Sequence, residues 1–359
     1  MNRDIFEDLF VLELANNHWG SLDRGKRIVE EFGTTVRYNG VRAAIKLQFR
    51  DVKSFIHKDF RTRQDIRYIK KTVDTELSEE ELGELVEHVR VNNCIRMATP
   101  FDERSVDLCS EFGIQIIKVA SSDVTDWVLL EKIAKTRKPV IVSTGGTTVK
   151  AIDDMVTFFE NRHIALAINH AVSLYPTEDR DLQLNQIDFL RRRYPNHTIG
   201  LSTHEYHDWT SSMMIAYAKG ARTFERHIDI KTDDKPFTPY CSTAEQIDTW
   251  FKAFLKAKEM CGSSGTEKAL PTEKEVQYLD GLVRGVYAAR DLPEGHRLTD
   301  GDYYLAIPLQ KGQLSCRELI DSAVLTKPCP KDTPVTIDMM DNPYSRNQHL
   351  RNMIMNRGL

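Results

Sequence analysis

Apolar residues along the chain fall into short runs of strand character, each closed by polar residues: LFVLELA, VRAAIKLQF, CIRMATPF, IQIIKVASS, PVIVSTGG, IALAIN, TIGLST and ARTFERH. Between most of them lie stretches whose apolar positions recur three and four apart, among them ERSVDLCSEF, DWVLLEKIAKT, VKAIDDMVTFFENR and STAEQIDTWFKAFLKAKEM. Strand–helix alternation predicts a parallel sheet, and eight units are the number that closes a (β/α)8 barrel. An open doubly wound sheet is the competing architecture, because periodicity does not reveal closure. One insertion, RDVKSFIHKDFRTRQDIRYIKKTVDTELSEEE, breaks the rhythm after the second run and reads as an extended loop on the catalytic face.

The pattern changes after Gly262. The stretch GSSGTEKALPTEKEV is rich in Gly, Ser, Thr and Pro and opens a predicted linker over 263–283, behind a barrel domain over 1–262. From 284 to 343 the strands are short and the turns carry Gly and Pro, as in LPEGHRLTDGD and CPKDTPVTIDM. Pro293 matches Pro330 and Thr299 matches Thr336, so this region reads as a small β-rich module with an internal near-repeat. Residues 344–359 form a tail, either a short helix or a frayed end. The length of 359 residues suits a barrel plus such a module.

Charge narrows the ligand. Lys and Arg number 49 against 53 Asp and Glu, a formal charge of −4, which gives no reason to expect a nucleic-acid surface or a basic membrane patch. Small-molecule ligands are the expectation. The six cysteines include no C-x-x-C pair and read as reduced residues of a cytoplasmic protein. Acidic residues interrupt the N-terminal stretch, and no apolar run approaches ~20 residues, so neither export nor a membrane span is expected.

In a (β/α)8 barrel the reactive groups lie at the carboxyl ends of strands. Those positions carry Glu13, Asn17 and His18, then Lys46 and Gln48, Thr99, Lys118 and Ser121, Ser143 with Gly145 and Gly146, Tyr175, Ser202 and His204, and finally Glu225 and His227. His204 and His227 sit on adjacent strands, ~4.8 Å apart, so both imidazoles can meet one divalent ion. His207, three residues past His204, reads as a bystander. Lys46 and Lys118, with Thr99, Ser121, Ser143 and Ser202, make a cradle for phosphate and carboxylate groups. The competing reading pairs each lysine with an inward acid.

The motifs VLELANNHWGSLDRGKRIV, AIKLQF, MATPFD, IIKVASSD, VSTGG, YPT, GLSTH and ERH, in this order, resemble the sialic acid synthase (nonulosonate synthase) family. The C-terminal module resembles that family's antifreeze-like (SAF, β-clip) domain. The resemblance implies a transferase that condenses phosphoenolpyruvate with an open-chain aldose such as N-acetylmannosamine and releases phosphate. It also implies a divalent ion, Mn2+ before Mg2+ or Co2+, and a domain-swapped homodimer. By the same resemblance, His204 and His227 are metal ligands, and Lys46, Thr99, Lys118, Ser121, Ser143 and Ser202 contact phosphoenolpyruvate. Glu13 and Glu225 lie near the aldehyde, with Lys118 holding the donor, and Gln48, Tyr175 and Asn17 line the sugar side.

Where that family reads LSDHT this chain has LSTHE, so Thr203 replaces an aspartate. Thr238 stands for a second aspartate, Leu174 for an asparagine, and Ile307 for the arginine of a sugar-binding loop, with Gln310 or Lys311 as possible substitutes. All are read as acceptor-side positions, which predicts an ordinary donor and an acceptor other than standard N-acetylmannosamine. Two rival functions remain on the sequence: a Schiff-base aldolase using Lys118, and a catalytically degenerate barrel that binds a sugar.

Overall fold

The computed structural model describes residues 4–262, 265–320 and 323–359. Two compact units separate at Gly262. In the first, eight parallel strands close into a barrel in sequence order: β1 (Leu9–Ala15), β2 (Arg42–Phe49), β3 (Ile95–Pro100), β4 (Ile116–Val119), β5 (Val140–Ser143), β6 (Leu166–Ala171), β7 (Thr198–Thr203) and β8 (Thr223–His227). Pairing of β1 with β8 closes the ring, from Leu9 opposite Thr223 to Glu13 opposite His227. The open sheet is thereby excluded.

The helices between strands begin where the sequence supplies caps. Ser78 and Glu81 form a reciprocal capping box ahead of the Glu79–Val91 helix, and Thr243 with Gln246 does the same ahead of Ala244–Cys261. The Leu22–Asn39 helix stops at Gly40, whose φ of 61° is the left-handed conformation that glycine adopts without a Cβ penalty. The long insertion is more ordered than an extended loop. It folds into short helical pieces ending in the Arg67–Asp74 helix, because Arg67–Asp74 contains no helix breaker.

Outward strand residues pack on the helices. Phe10 meets Trp250, Phe251 and Phe254 edge-on at centroid distances of 5.0, 4.7 and 5.0 Å. Inward residues behave differently along the barrel axis. Leu9, Val11, Ala44, Met97, Ile116, Ile141 and Ala167 fill the lower barrel with apolar side chains. The next inward positions are polar, so the same two-residue alternation that builds the core also lifts Glu13, Lys46, Lys118, Ser143, Ser202 and Glu225 to the mouth. Gly200 makes room for this transition: a Cβ there would come within 1.8 Å of Thr223 Oγ1 and 2.3 Å of Asn169 Oδ1.

In the second unit, Gly285–Ala288 pairs antiparallel with Tyr303–Ala306, and Val324–Leu325 with Met340–Asp341. The two near-repeats touch: Leu292 N donates to Cys329 O at 2.9 Å and Cys329 N returns a bond to Leu292 O at 2.8 Å. One stretch differs from expectation: the predicted linker contains a helix, Glu273–Asp280, started by a Thr272–Glu275 capping box. The tail takes the helical one of its two alternatives, over Gln348–Met355. Ile354 of that helix joins the module's buried core with Val286, Leu314 and Ile337. Among the described residues no helix is long and apolar enough to cross a membrane.

Candidate active site

At the floor of the barrel mouth, Lys46, Lys118, Glu13 and Glu225 are buried together. Register explains their meeting: Glu13 pairs across to Lys46, and Ser202 to Glu225. Lys46 Nζ donates to Glu225 Oε1 at 2.9 Å and also contacts Glu13, while Lys118 Nζ lies 2.6 Å from Glu225 Oε2. Ser202 Oγ adds a bond to Glu225 Oε1 at 3.2 Å. The competing sequence reading, lysines answered by inward acids, therefore describes the pairing in the barrel mouth.

The two carboxylates are not equivalent. Burial pushes Glu13 above the ordinary carboxylate range, helped by the negative charge of Glu225 and opposed by Lys46. Burial would raise Glu225 too, but Lys118 and Lys46 outweigh it and hold Glu225 well below that range. Burial pushes Lys118 down to about 8 against the pull of Glu225, whereas Glu13 and Glu225 together overcome burial and keep Lys46 above lysine's usual value. Two carboxyl groups driven apart in this way divide the labour, one a fixed anion and the other a group able to exchange a proton.

One inward position higher stand the imidazoles. The rings of His204 and His227 lie with centroids 5.3 Å apart. Tyr175 packs 4.1 Å from His204, and Tyr240 sits 5.2 Å from His227 and 5.3 Å from Tyr175. Burial lowers His204 to about 4 and, with His204 beside it, drives His227 well below its ordinary value. Both are neutral at neutral pH, as metal ligands must be. His204 Nδ1 lies 3.1 Å from Val172 O; a proton there leaves the Nε2 lone pair for a cation. No cluster of three His, Cys, Asp or Glu suited to a metal exists among the described residues, so an ion here would draw its other ligands from water and substrate, as in open catalytic sites.

A model of the NeuB family matches residues 39–264. The chain belongs to the NeuB family. It is 30% identical over 82% of its length to an uncharacterized protein of Methanocaldococcus jannaschii, 83% of which is covered. It is 28% identical to the N-acetylneuraminate-9-phosphate synthase of Drosophila melanogaster, across 87% of this chain and 89% of that one. Among solved structures, spore coat polysaccharide biosynthesis protein E from Chromobacterium violaceum superposes with a TM-score of 0.90 at 37% identity, covering 94% of this chain and all of that one.

Within this NeuB-family barrel the residues expected from the sequence separate into groups. Gln48 Nε2 donates to Glu13 Oε1 at 3.3 Å, bracing that carboxyl group. Thr99, opposite Gln48 in the register, buries its hydroxyl without a partner, which suits a ligand acceptor atom. Ser121 Oγ accepts from Gly145 N at 3.0 Å and so ties the β4 and β5 loops, and Ser143 is buried at the end of β5. Asn17 stands apart, its Nδ2 donating to Ile228 O at 2.8 Å and Cys241 Sγ at 3.3 Å. His207 pairs with Asp179 at 3.1 Å on the outside.

One expectation is overturned. Thr203 is not on the acceptor side. With Ser202 and His204 bracketing it and Ser202 turned inward, its side chain must face the helices. There it donates to Glu205, a buried carboxylate that also accepts from Ser212 and pairs with Arg226 at 2.8 Å. Three residues were missed. Asn169 is fully buried within β6 with its Nδ2 unpartnered, and inward parity in IALAIN was the available signal. Tyr240 sits in a loop where no periodicity speaks. Arg50 continues the alternation Lys46, Gln48 one step beyond the strand.

Proposed function

We propose that the chain is a nonulosonic acid synthase that joins phosphoenolpyruvate to an open-chain, N-acetylmannosamine-like aldose and releases phosphate. His204 and His227 would hold the divalent ion, Mn2+ before Mg2+ or Co2+, which when bound polarises the acceptor carbonyl. The observation carrying this reading is the placement of two neutral imidazoles from adjacent strands directly above a buried lysine–glutamate cluster in one barrel mouth.

Lys46 and Lys118 hold the donor's carboxylate and phosphate, with the hydroxyls of Thr99, Ser121, Ser143 and Ser202 as further donors. The donor's enol carbon attacks the aldehyde carbon, whose oxygen gains a proton to become a hydroxyl; water adds at the donor's second carbon, and the carbon–oxygen bond to phosphate breaks as the added hydroxyl gives up its remaining proton and becomes the keto oxygen. Glu225, fixed as an anion, stabilises positive charge at that second carbon, and Glu13, with its raised pKa, takes the proton from the water. An acceptor other than standard N-acetylmannosamine rests on Thr238, Leu174 and Ile307, and on the ring of Tyr240, no longer on Thr203.

A phosphate-release assay with phosphoenolpyruvate, Mn2+ and a panel of mannosamine-like and diamino-sugar acceptors tests the proposal. His204→Ala and His227→Ala are each expected to abolish turnover; full activity in either removes the metal assignment. The lowered pKa of Lys118, about 8, keeps the Schiff-base aldolase as a second reading. Its contact with Glu225 at 2.6 Å opposes it by holding the amine protonated. Covalent trapping of substrate by borohydride would decide for the aldolase.

A further inference from the structure

We infer that Arg50 is a third cationic contact for the phosphoenolpyruvate anion, on the β2–β4 side of the barrel mouth. This deepens the function proposed above and rests on it. The argument begins with charge. Lys46 and Lys118 face Glu13 and Glu225, so the cluster is neutral, or carries one net positive charge when Glu13 is protonated. A phosphate monoester brings about −1.5 to −2 at neutral pH, and the donor's carboxylate adds another negative charge. The floor alone leaves much of that charge unanswered. The imidazole pair lies on β7 and β8, across the ring from β3 and β4.

Arg50 is placed to supply the difference. It follows Lys46 and Gln48 at the next alternate position, hence on the same inward side. Its Nη1 donates only to neutral oxygens, Gln48 Oε1 at 3.0 Å and Asn16 Oδ1 at 3.5 Å. The guanidinium carbon lies 3.7 Å from the centroid of the Phe101 ring, which fixes the plane while leaving Nε and Nη2 without a protein acceptor among the described residues. Glu13, Asp123 and Asp102 are near enough to act on its charge, yet none pairs with it. Glu13 contacts Lys46, Asp102 accepts the backbone N–H groups of Asp51 and Ser105 at 2.8 Å each, and Asp123 accepts from Ser122 at 2.7 Å. Burial lowers Arg50 to about 10, so it remains charged at neutral pH. A half-buried guanidinium with a free edge and no carboxylate is a fork for phosphate or carboxylate oxygens. The unpartnered hydroxyl of Thr99 lies on the same arc.

The test uses the full chain with Arg50→Met and Arg50→Lys. Phosphoenolpyruvate is titrated calorimetrically into metal-free protein, and phosphate release is measured at saturating Mn2+ and acceptor. Loss of charge-assisted hydrogen bonds predicts a Kd and KM for phosphoenolpyruvate raised by roughly 10- to 100-fold in Arg50→Met, a smaller rise in Arg50→Lys, and an unchanged acceptor KM. Arg50→Lys, which keeps the charge, carries the test should Arg50→Met fail to fold. Donor affinity within twofold of the parent overturns the inference, as does a fall confined to kcat, which would make Arg50 only a brace for Gln48 and Glu13. Recovery of donor affinity in Arg50→Met/Asp123→Asn also overturns it, because Arg50 would then merely neutralise Asp123. A parent protein that neither binds phosphoenolpyruvate nor releases phosphate sinks the synthase reading itself, and this inference with it.

Discussion

At the floor of the barrel mouth Lys46, Lys118, Glu13 and Glu225 are buried as mutually answering groups, whereas one inward position higher His204 is buried and His227 half-buried beside Tyr175 and Tyr240. Desolvation works against charge in each layer. The floor keeps its charges because every ammonium group finds a carboxylate within contact distance. The imidazoles find none and become neutral instead. One layer is thus prepared for an anion that displaces or shares existing partners, and the other for a cation that needs lone pairs. The separation follows from strand parity, since Ser202 and His204, or Glu225 and His227, are two residues apart and face the same interior at different heights.

Removing the shared anion of the floor is the largest perturbation available. In Glu225→Gln both lysines lose a charged partner, and Lys118 loses its only one among the described residues. Breaking a buried pair from one side costs about 3–5 kcal/mol. Denaturant titration is expected to show a loss of that size, and phosphate release should fall by a factor of roughly a thousand or more. A variant with unaltered stability would mean that the lysines are hydrated, and the contrast between the layers would disappear.

The other floor carboxylate should behave differently. Because the pKa of Glu13 is raised in the folded protein, its stabilising contribution is complete below the unfolded value and is lost as pH rises through the folded one. Glu13→Gln removes that loss, so stability near neutral pH is expected within about 1 kcal/mol of the parent while turnover falls by about 10²–10⁴. In the parent, the acid limb of the pH–rate profile should lie above the usual carboxylate range, and it should vanish in the variant. An unchanged limb in Glu13→Gln would assign the proton to another group.

The extent to which the chain disclosed this site depends on which physical signal each residue carries. Strand-end lysines, glutamates and histidines were legible because a two-residue period determines what faces a barrel interior, and closure by eight strands brings those faces together. The same parity, applied to GLSTHE, places Thr203 outward; comparing motif letters alone put it on the acceptor side. Tyr240 depends on the path of the loop after β8, and which acid each lysine meets, Glu13 and Glu225 for Lys46 and Glu225 for Lys118, depends on interstrand register, neither of which a single sequence encodes locally. The Glu273–Asp280 helix was readable from its Thr272–Glu275 box but was masked by surrounding Gly, Ser and Pro.

The smallest expected effect tests the wall behind the imidazoles. Thr203→Val keeps the shape of the side chain and removes its hydrogen bond to Glu205, whose carboxylate retains Ser212 and Arg226. A loss of about 1 kcal/mol in stability is expected, with the ranking of acceptors in the phosphate-release panel unchanged. A shift in acceptor preference would return Thr203 to the sugar side and contradict the outward parity that also orients His204. Thr203→Asp is the sharper form of the same test, because a second carboxylate beside Glu205 in that dry layer repels it. Stability should fall further there, acceptor ranking should again hold, and adding Glu205→Thr, which leaves Arg226 one acid within the same cluster, should recover most of the loss.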